Sequence, residues 1–395
     1  MGRWPDPMLR RILILLALLI LAGLVYAFTL LPGQIESGMN AVHRKPPYNV
    51  SARARDLIRK SPIVDLHVDS LLWNRDLNER SSRGHSDVPR MIEAGYGLQA
   101  FSVVSKTPRG MNFYHNSGDT DNILPLSMIE RWPVATWTSL CERALYAASK
   151  LRTTVERSGG RLVLIRTASD LRNYLERRRT EPEITAGFLS IEGAQVLEGK
   201  LENLQRLDEA GFRLISPSHF FDTEIAGSAA GMVQGGLTPL GKQWVRQMES
   251  RKMLVDVAHA SAATVDDVLA IATRPVIVSH AGVKGTCDNP RNLSDAHLRG
   301  VAKTGGVIGI TFFDFATCGS DAAAIVRSIR YAIQVAGIDH VALGSDFDGA
   351  VETPFDVTGV GLIVDAMLAA GMSDEDIGKV IGGNATRVLL ESLPQ

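Results

Sequence analysis

The sequence predicts an α/β fold, a single (β/α)8 TIM barrel with a helical insertion after its second strand and an N-terminal transmembrane helix. Three observations lead to this prediction. Short apolar runs, typical of strands buried on both faces, alternate with helical stretches through most of the chain. Six of these runs end in polar side chains that can bind a metal ion or transfer a proton. The 395 residues, without their apolar N-terminus, have the length of one barrel with insertions.

The N-terminal residues have the pattern of a membrane anchor. Residues 12–32 are apolar and uncharged, and they are long enough to cross the hydrocarbon core as one helix. Residues 1–11 contain three arginines and are therefore expected in the cytoplasm. We expect a single-pass signal anchor in the inner (cell) membrane, with the rest of the chain on the periplasmic or extracellular side. A signal peptide cleaved near Ala27 is the alternative interpretation.

The anchor is followed by a predicted linker and one globular domain. Residues 33–50 are predicted to be the linker, because they contain the proline pair Pro46 and Pro47 and lack a regular apolar period. The barrel domain is predicted to occupy residues 51–395.

The first two strands come before an insertion. The run PIVDLHVD ends in His67 and Asp69, whose side chains share a face of the strand and can bind one cation together. The run GYGLQAFSVV predicts the second strand. Residues 105–161 then form a long loop and a helical stretch that Pro133 interrupts. This insertion is either a substrate wall over the barrel mouth or an addition without a role.

The remaining strands repeat the pattern of the first one. Apolar runs end at Glu192, His219, His259 and His280; the run GVIGITFF follows, and the last run ends at Asp346. Helical stretches separate them, so the count is eight strands and eight following helices.

The polar strand ends are predicted to meet, because the carboxyl ends of parallel barrel strands open into one mouth. Three histidines and two carboxylates exceed the three protein ligands that a single catalytic zinc usually has. They suit two zinc ions, and they are His67, Asp69, Glu192, His259 and His280. Glu192 has two oxygens and can bridge the pair. Such a centre, with ions about 3.5 to 4 Å apart, holds a hydroxide at neutral pH and stabilises charge on the attacking and leaving atoms.

Three further residues each have two interpretations. Asp346 can act as a general base and then as an acid, or it can be a third carboxylate ligand. His219 can donate a hydrogen bond to a developing oxyanion, or it can bind metal. Arg291, in the loop after His280, can grip a substrate carboxylate with two parallel hydrogen bonds, or it can be a solvated surface side chain.

The charge balance indicates what kind of partner the protein has, and the cysteine positions indicate whether it lies in an oxidising compartment. The 42 Lys and Arg residues nearly balance the 43 Asp and Glu residues, which gives no reason to expect nucleic acid and favours a small substrate. The sequence has no Cys-x-x-Cys pair, no phosphate-binding glycine loop and no Gly-x-Ser-x-Gly elbow. Cys287 and Cys318 follow the sixth and seventh strands, where a disulfide is geometrically plausible; two free thiols are the alternative.

Taken together, the motifs resemble a known family. DLHVD, SIEG, the His of PSH, VAHAS, VSHAG, NPRN, GSDFDG and GGNATRVL, in this order, are similar to those of the membrane (renal) dipeptidase family, the binuclear zinc peptidases of peptidase family M19. The resemblance covers residues 61–390. It implies a (β/α)8 metal-dependent hydrolase of the amidohydrolase type that cleaves dipeptides, some members accepting a D-residue at the C-terminal position.

The resemblance also implies roles for the site residues. By position, His67 and Asp69 would bind one zinc, His259 and His280 would bind the second zinc, and Glu192 would bridge the two ions. His219 and Arg291 would contact substrate. Asp346 would shuttle the proton. The sequence departs from the family after His219, where it reads FFDTEIAGSAAG. Two other functions stay open, an amidohydrolase acting on N-acyl amino acids or lactams and a non-catalytic anchored binding protein. A homodimer also stays open.

Overall fold

Parallel strands form the wall of a barrel in the computed structural model, which describes residues 7–395. The strands are β1 (Ile63–Val68), β2 (Tyr96–Phe101), β3 (Leu162–Leu164), β4 (Thr185–Ile191), β5 (Phe212–Ile215), β6 (Leu254–Val255), β7 (Ile277–Ala281), β8 (Val307–Ile310) and β9 (Val341–Leu343). Eight of them lie side by side in the order β6-β5-β4-β2-β1-β9-β8-β7. A parallel bridge between Asp256 and Ile277 joins the two ends of this path, so the barrel closes.

The eight strands on the path are the eight that the sequence predicts, and the barrel class is confirmed. Every residue of β1, β2 and β4 is buried, as expected for strands packed on both faces. The additional strand β3 pairs with the first half of β4, where Leu162 is opposite Thr185. Its three residues are too few to show a strand pattern in the sequence.

Helices alternate with the strands and pack around them. They are α1 (Pro7–Thr29), α2 (Leu31–Met39), α3 (Ala52–Lys60), α4 (Val88–Ala94), α5 (Ile123–Ile129), α6 (Ala135–Thr138), α7 (Leu140–Arg157), α8 (Ala168–Thr180), α9 (Asn203–Ala210), α10 (Pro239–Ser250), α11 (Ala262–Ile271), α12 (Asp295–Lys303), α13 (Asp314–Thr317), α14 (Ala322–Ala336), α15 (Gly361–Ala369), α16 (Asp374–Gly378) and α17 (Asn384–Ser392). Several begin at a side chain that accepts a backbone N–H; the Thr167 hydroxyl caps α8, and Asp170 completes a capping box there.

The predicted helical insertion after the second strand is confirmed. A loop leads to α5, α6 and α7, and the helices are interrupted around Pro133 as the sequence indicates. The buried guanidinium of Arg143 holds the loop by donating to the carbonyl of Ser105 at 2.8 Å and to Asp121 Oδ2 at 2.7 Å. The loop then reaches across the barrel mouth, where the Asn116 amide donates to the carbonyl of Ala230 at 2.8 Å.

The N-terminal part contains two helices, of which α1 overlaps the predicted anchor and α2 overlaps the predicted linker. Helix α1 is long and apolar enough to cross a membrane and is exposed along its length; a signal sequence has the same properties. It covers Pro7–Thr29 rather than residues 12–32, and most of the predicted cytoplasmic segment, residues 1–6, lies outside the described residues. The predicted linker contains helix α2, on which Glu36 is buried because two arginines of the barrel surround its carboxylate. Those arginines are distant in sequence, so no local pattern shows this contact.

Candidate active site

The side chains that end the strands meet around Glu192, which directly follows β4. Its Oε1 atom is 2.8 Å from His259 Nε2 and 3.1 Å from His280 Nε2. The same oxygen is 3.8 Å from His67 Nε2. The other oxygen, Oε2, is 3.2 Å from His219 Nε2. A single carboxylate therefore stands within reach of four imidazole rings that come from four different strand ends.

A second group of ligand atoms lies on the β1 side of the cluster. His67 Nε2 is 3.3 Å from Asp69 Oδ2 and 3.9 Å from Asp346 Oδ1. Ligand atoms of these three residues lie within 4.8 Å of one another, as do those of two further groups that share Glu192. All of these side chains are buried. Among the described residues, the cluster therefore offers three overlapping groups of ligand atoms that could hold a metal ion, and two of these groups share Glu192.

Two buried aspartates that the sequence reasoning missed fix the strand ends against each other. Asp65 Oδ1 accepts from the backbone N–H of His67 at 3.1 Å and of Ser345 at 2.8 Å, which ties β1 to the end of β9. Asp256 Oδ1 accepts from Ser279 at 2.9 Å and ties the end of β6 to β7. Burial raises the pKa of both carboxyls, although these hydrogen bonds oppose it. A carboxylate inside an apolar run is the signal that could have identified them.

The imidazole rings are oriented by a hydroxyl on their far side. Ser279 Oγ lies 2.8 Å from His280 Nδ1 and 3.4 Å from His67 Nδ1. A partner at Nδ1 fixes the ring and leaves Nε2 directed at the cluster, which is how outer partners orient histidine ligands in metal sites. His259 Nε2 and His280 Nε2 are 3.0 Å apart, so their lone pairs can share one cation.

Burial and neighbouring charges set the protonation of the cluster. Burial lowers the pKa of His219, His259 and His280 well below the usual value, and the nearby Arg291 charge adds to this effect. These three imidazoles are therefore neutral, the form that binds metal. For His67, burial also favours the neutral ring, but the carboxylates of Asp69 and Glu192 outweigh it and raise the pKa to about 10.

The carboxyl groups of the cluster attract positive charge. Burial raises the pKa of Glu192 well above its usual range, and it raises the pKa of Asp346 to about 7. Asp69 Oδ1 and His219 Nδ1 are buried and have no hydrogen-bond partner within residues 7–395. A divalent cation would supply the positive charge that a bound proton supplies in its absence. Zinc binds both nitrogen and oxygen ligands. The residues present therefore fit a metal centre.

Arg291 lies beside the cluster on the loop that follows β7. Its Nη2 atom donates to the carbonyl of His280 at 2.7 Å, and its buried Nε has no partner. The Asn289 side chain accepts from the Arg291 amide at 3.0 Å and donates to the Phe315 carbonyl at 2.8 Å. A disulfide between Cys287 and Cys318 joins the same two loops. The guanidinium is thus held at the mouth rather than solvated.

Aromatic rings from three loops form a wall next to the imidazoles. Phe113, in the insertion, stacks on Phe315 with ring centroids 4.1 Å apart and lies 5.7 Å from Phe220. The Phe220 ring is in turn 5.2 Å from the ring of His259. The sequence reasoning assigned no role to these phenylalanines. The run FF directly after His219 is the available signal, since two adjacent aromatic residues in a predicted mouth loop need an apolar surface to pack against.

The turn after β9 separates two acidic side chains that are two residues apart. Asp346 faces the cluster, whereas the Asp348 carboxylate pairs with Arg75 and Ser70 outside it. Directly after Asp348, Gly349 leaves no room for a side chain, because a Cβ atom there would lie 2.3 Å from Asp346 Oδ1 and 2.9 Å from Asp69 Oδ2.

A parallel (β/α)8 barrel whose strand ends gather histidines and carboxylates at the mouth defines a metal-dependent hydrolase of the amidohydrolase type. The sequence pattern of the membrane dipeptidase family, peptidase family M19, matches residues 51–392, and the chain belongs to this family. It is accordingly a metallodipeptidase.

Relatives agree with this assignment, and a solved structure agrees with the fold. The dipeptidase verJ from Clonostachys rogersoniana is 33% identical over 249 residues, 60% of this chain and 62% of that protein. The dipeptidase aclJ from Aspergillus oryzae is 27% identical over 400 residues, 94% of this chain and 86% of that protein. A metallopeptidase from Rhodobacter sphaeroides, liganded with a phosphinate mimic of L-Ala-D-Ala, is similar in fold, with a TM-score of 0.67, 23% identity and coverage of 84% of this chain and 99% of that one.

Proposed function

We propose that this metallodipeptidase hydrolyses L,L- and L,D-dipeptides on a pair of zinc ions. The observation that carries the proposal is the meeting of three histidines and two carboxylates, Glu192 among them, with nitrogen atoms of His259 and His280 2.8 and 3.1 Å from one oxygen of Glu192. The inclusion of L,D-dipeptides is motivated by the Rhodobacter sphaeroides structure, which holds a mimic of L-Ala-D-Ala.

Two sets of ligands are proposed for the ions. His67 and Asp69 would hold one, His259 and His280 the other, and Glu192 would contribute to both sites. When bound, the ions would polarise the scissile carbonyl and lower the pKa of water at the site. The neutral His259 and His280 rings need no proton removed before they bind.

Asp346 is proposed to move the proton. Its Oδ1 atom is 3.9 Å from His67 Nε2, at the edge of the cluster, where a water and the scissile peptide can both be reached. The carboxylate would accept a proton from the water as its oxygen bonds to the carbonyl carbon. It would then give that proton to the nitrogen as the C–N bond breaks. A pKa raised to about 7 by burial suits a group that must both accept and donate near neutral pH.

Two cationic or polar groups are proposed to hold the substrate. The unpartnered Nε of Arg291 leaves part of the guanidinium for a substrate carboxylate, and this contact would favour substrates with a free C-terminus. His219 would donate to the carbonyl oxygen of the scissile bond. The phenylalanine wall of Phe113, Phe220 and Phe315 favours a substrate with an apolar side chain.

The N-terminal residues are proposed to tether the enzyme to the inner (cell) membrane. Residues 12–32, most of which lie in α1, would form the anchor, residues 1–11 would be cytoplasmic, residues 33–50 would lie next to the membrane, and residues 51–395 would form the dipeptidase barrel on the periplasmic or extracellular side. The disulfide between Cys287 and Cys318 supports a compartment outside the cytoplasm.

Metal content and activity measured together test the proposal. We expect the full-length chain, purified in detergent, to contain two zinc ions, to cleave L,L- and L,D-dipeptides, to lose activity on chelation and to regain it with zinc. Glu192→Gln should lower activity by more than about 100-fold, the upper cost of changing an outer partner, and should release metal. Glu183→Gln, the same change at an exposed position, is the control. A chain that holds two zinc ions and cleaves N-acyl amino acids but no dipeptide would exclude the proposed substrate.

A further inference from the structure

Helix α2 brings a buried carboxylate to the barrel from outside the family's matched region. Glu36 is only 1% exposed. Its Oε1 atom lies 2.6 Å from Arg75 Nε and its Oε2 atom 3.1 Å from Arg83 Nε. Burial raises the pKa of Glu36, and the Arg75 charge opposes that effect. A carboxylate removed from water in this way requires its cationic partners, so the contact is specific rather than incidental.

Arg75 connects Glu36 to the turn that follows β9. Its Nη2 atom pairs with Asp348 Oδ2, while its Nε faces Glu36. Asp348 is fully buried and is held from other sides as well. Its carboxylate accepts from the Ser70 hydroxyl and, at 2.5 Å, from the His85 amide. Its own amide donates to His85 Nδ1 at 2.8 Å. These partners and Arg75 keep the pKa of the Asp348 carboxyl below its usual value, against the effect of burial.

The turn held by these contacts has an unfavourable backbone conformation. Asp346, Asp348 and Ala350 have φ angles of 66°, 63° and 58°, in the left-handed region that residues other than glycine rarely adopt. Such angles persist only where the surroundings impose them. The N-terminal segment contributes a second restraint, because Asn40 Oδ1 accepts from the Ala350 amide at 2.9 Å. On the barrel side, Trp73 Nε1 donates to the Asp348 carbonyl at 2.7 Å.

We propose that Glu36 is a positioning residue for dipeptide hydrolysis: through Arg75 and Asp348 it fixes the left-handed turn that presents the Asp346 carboxylate to the metal cluster. The inference rests on the proposed role of Asp346 as proton shuttle. The segment between the proposed anchor and the barrel would thus contribute to catalysis. A chain trimmed to residues 51–395 is therefore expected to be a poor enzyme although it contains every proposed ligand.

The expected signature is a loss of turnover without a loss of metal. In the full-length chain in detergent, Glu36→Ala should lower kcat by about 10- to 100-fold, the range for partners that orient reacting groups, while KM stays within about twofold. Zinc content should stay at the wild-type value. Hydrogen exchange of the amides of residues 346–350 should become faster. Glu36→Asp, which keeps the charge on a shorter side chain, should recover part of kcat.

Two further variants make the test decisive. Glu93→Ala removes a carboxylate from an exposed ion pair with Arg80 and should leave kcat and exchange unchanged. Asn40→Ala removes the restraint on Ala350 alone and should also lower kcat, which tests the proposal if Glu36→Ala does not fold. Unchanged kcat and unchanged exchange in folded Glu36→Ala would overturn the positioning role. The same result in Asn40→Ala would overturn it where Glu36→Ala does not fold, and so would a loss of kcat that follows a loss of zinc. If the wild-type chain cleaves no dipeptide, the proposed function fails, and exchange of residues 346–350 still decides whether Glu36 fixes the turn.

Discussion

The two sides of the barrel mouth are built in different ways. The metal-ligand side consists of residues at strand ends, such as His67, Glu192 and His280, whose nitrogen and oxygen atoms approach to 3.1–3.8 Å because the barrel fixes the ends of adjacent strands. The rim consists of loops and of helix α2, which are held by individual long-range contacts such as that of Glu36 with Arg75. From this difference we infer that the rigid strand ends carry the groups proposed to react. The loops and helix α2 of the rim, which can vary, are proposed to select the substrate.

This comparison predicts a kinetic division. Changes at strand ends should lower kcat, whereas changes on the rim loops should raise KM or alter the choice of substrate. Glu36 is the informative exception, since it lies on the rim and acts on a strand-end group through the turn after β9.

The largest effect is expected at Asp346. Asp346→Asn should lower kcat by roughly 10²- to 10⁴-fold, because an amide cannot take up and return the proton. Zinc content should not change, and KM should change little. Asp266→Asn, the same substitution on an exposed side chain, is the matched control. Release of an ion by Asp346→Asn would show that Asp346 is a metal ligand and would contradict its proposed role as the proton carrier.

An intermediate effect is expected at Arg291, on the loop side of the mouth. Arg291→Ala should raise KM for dipeptides with a free carboxylate by about 10- to 100-fold, the cost of a charged hydrogen bond, and should leave kcat nearly unchanged. Dipeptides with a C-terminal amide should be almost unaffected by the substitution. Arg291→Lys keeps the charge but not the paired donors, so it should recover only part of the difference. Equal losses for acid and amide substrates would show that the guanidinium does not bind the carboxylate.

The smallest effect is expected at Phe113, in the insertion. Phe113→Ala removes one ring of the aromatic wall and should lower kcat/KM for dipeptides with large apolar side chains by about tenfold, in line with the burial of one such side chain. Hydrolysis of Gly-Gly should be unchanged, because it has no side chain to contact the wall. Met111→Ala, a partly exposed position of the same loop, is the control. A uniform loss over all substrates would assign the insertion a structural role instead.

The sequence was sufficient for the barrel and for the residues at its mouth, because a repeated apolar run ending in a polar residue is a local pattern. His67 and Asp69 share a strand face by simple alternation, and the order of strands follows from the alternation with helices. Their roles as ligands stay predictions. The contacts of Glu36 and the tie made by Asp65 depend on partners that are distant in the chain, and neither periodicity nor composition contains that information. The same reason explains why the sequence of residues 33–50 gives no sign that Glu36 is buried.

The space above Gly349 has a consequence for variation in this enzyme. Any residue with a Cβ atom at this position would push against one oxygen of Asp346 and one of Asp69. Such a side chain would drive apart the group proposed to carry the proton and a group proposed to hold an ion. The space between the Asp346 and Asp69 carboxylates therefore requires a glycine at position 349, whose side chain is a single hydrogen atom.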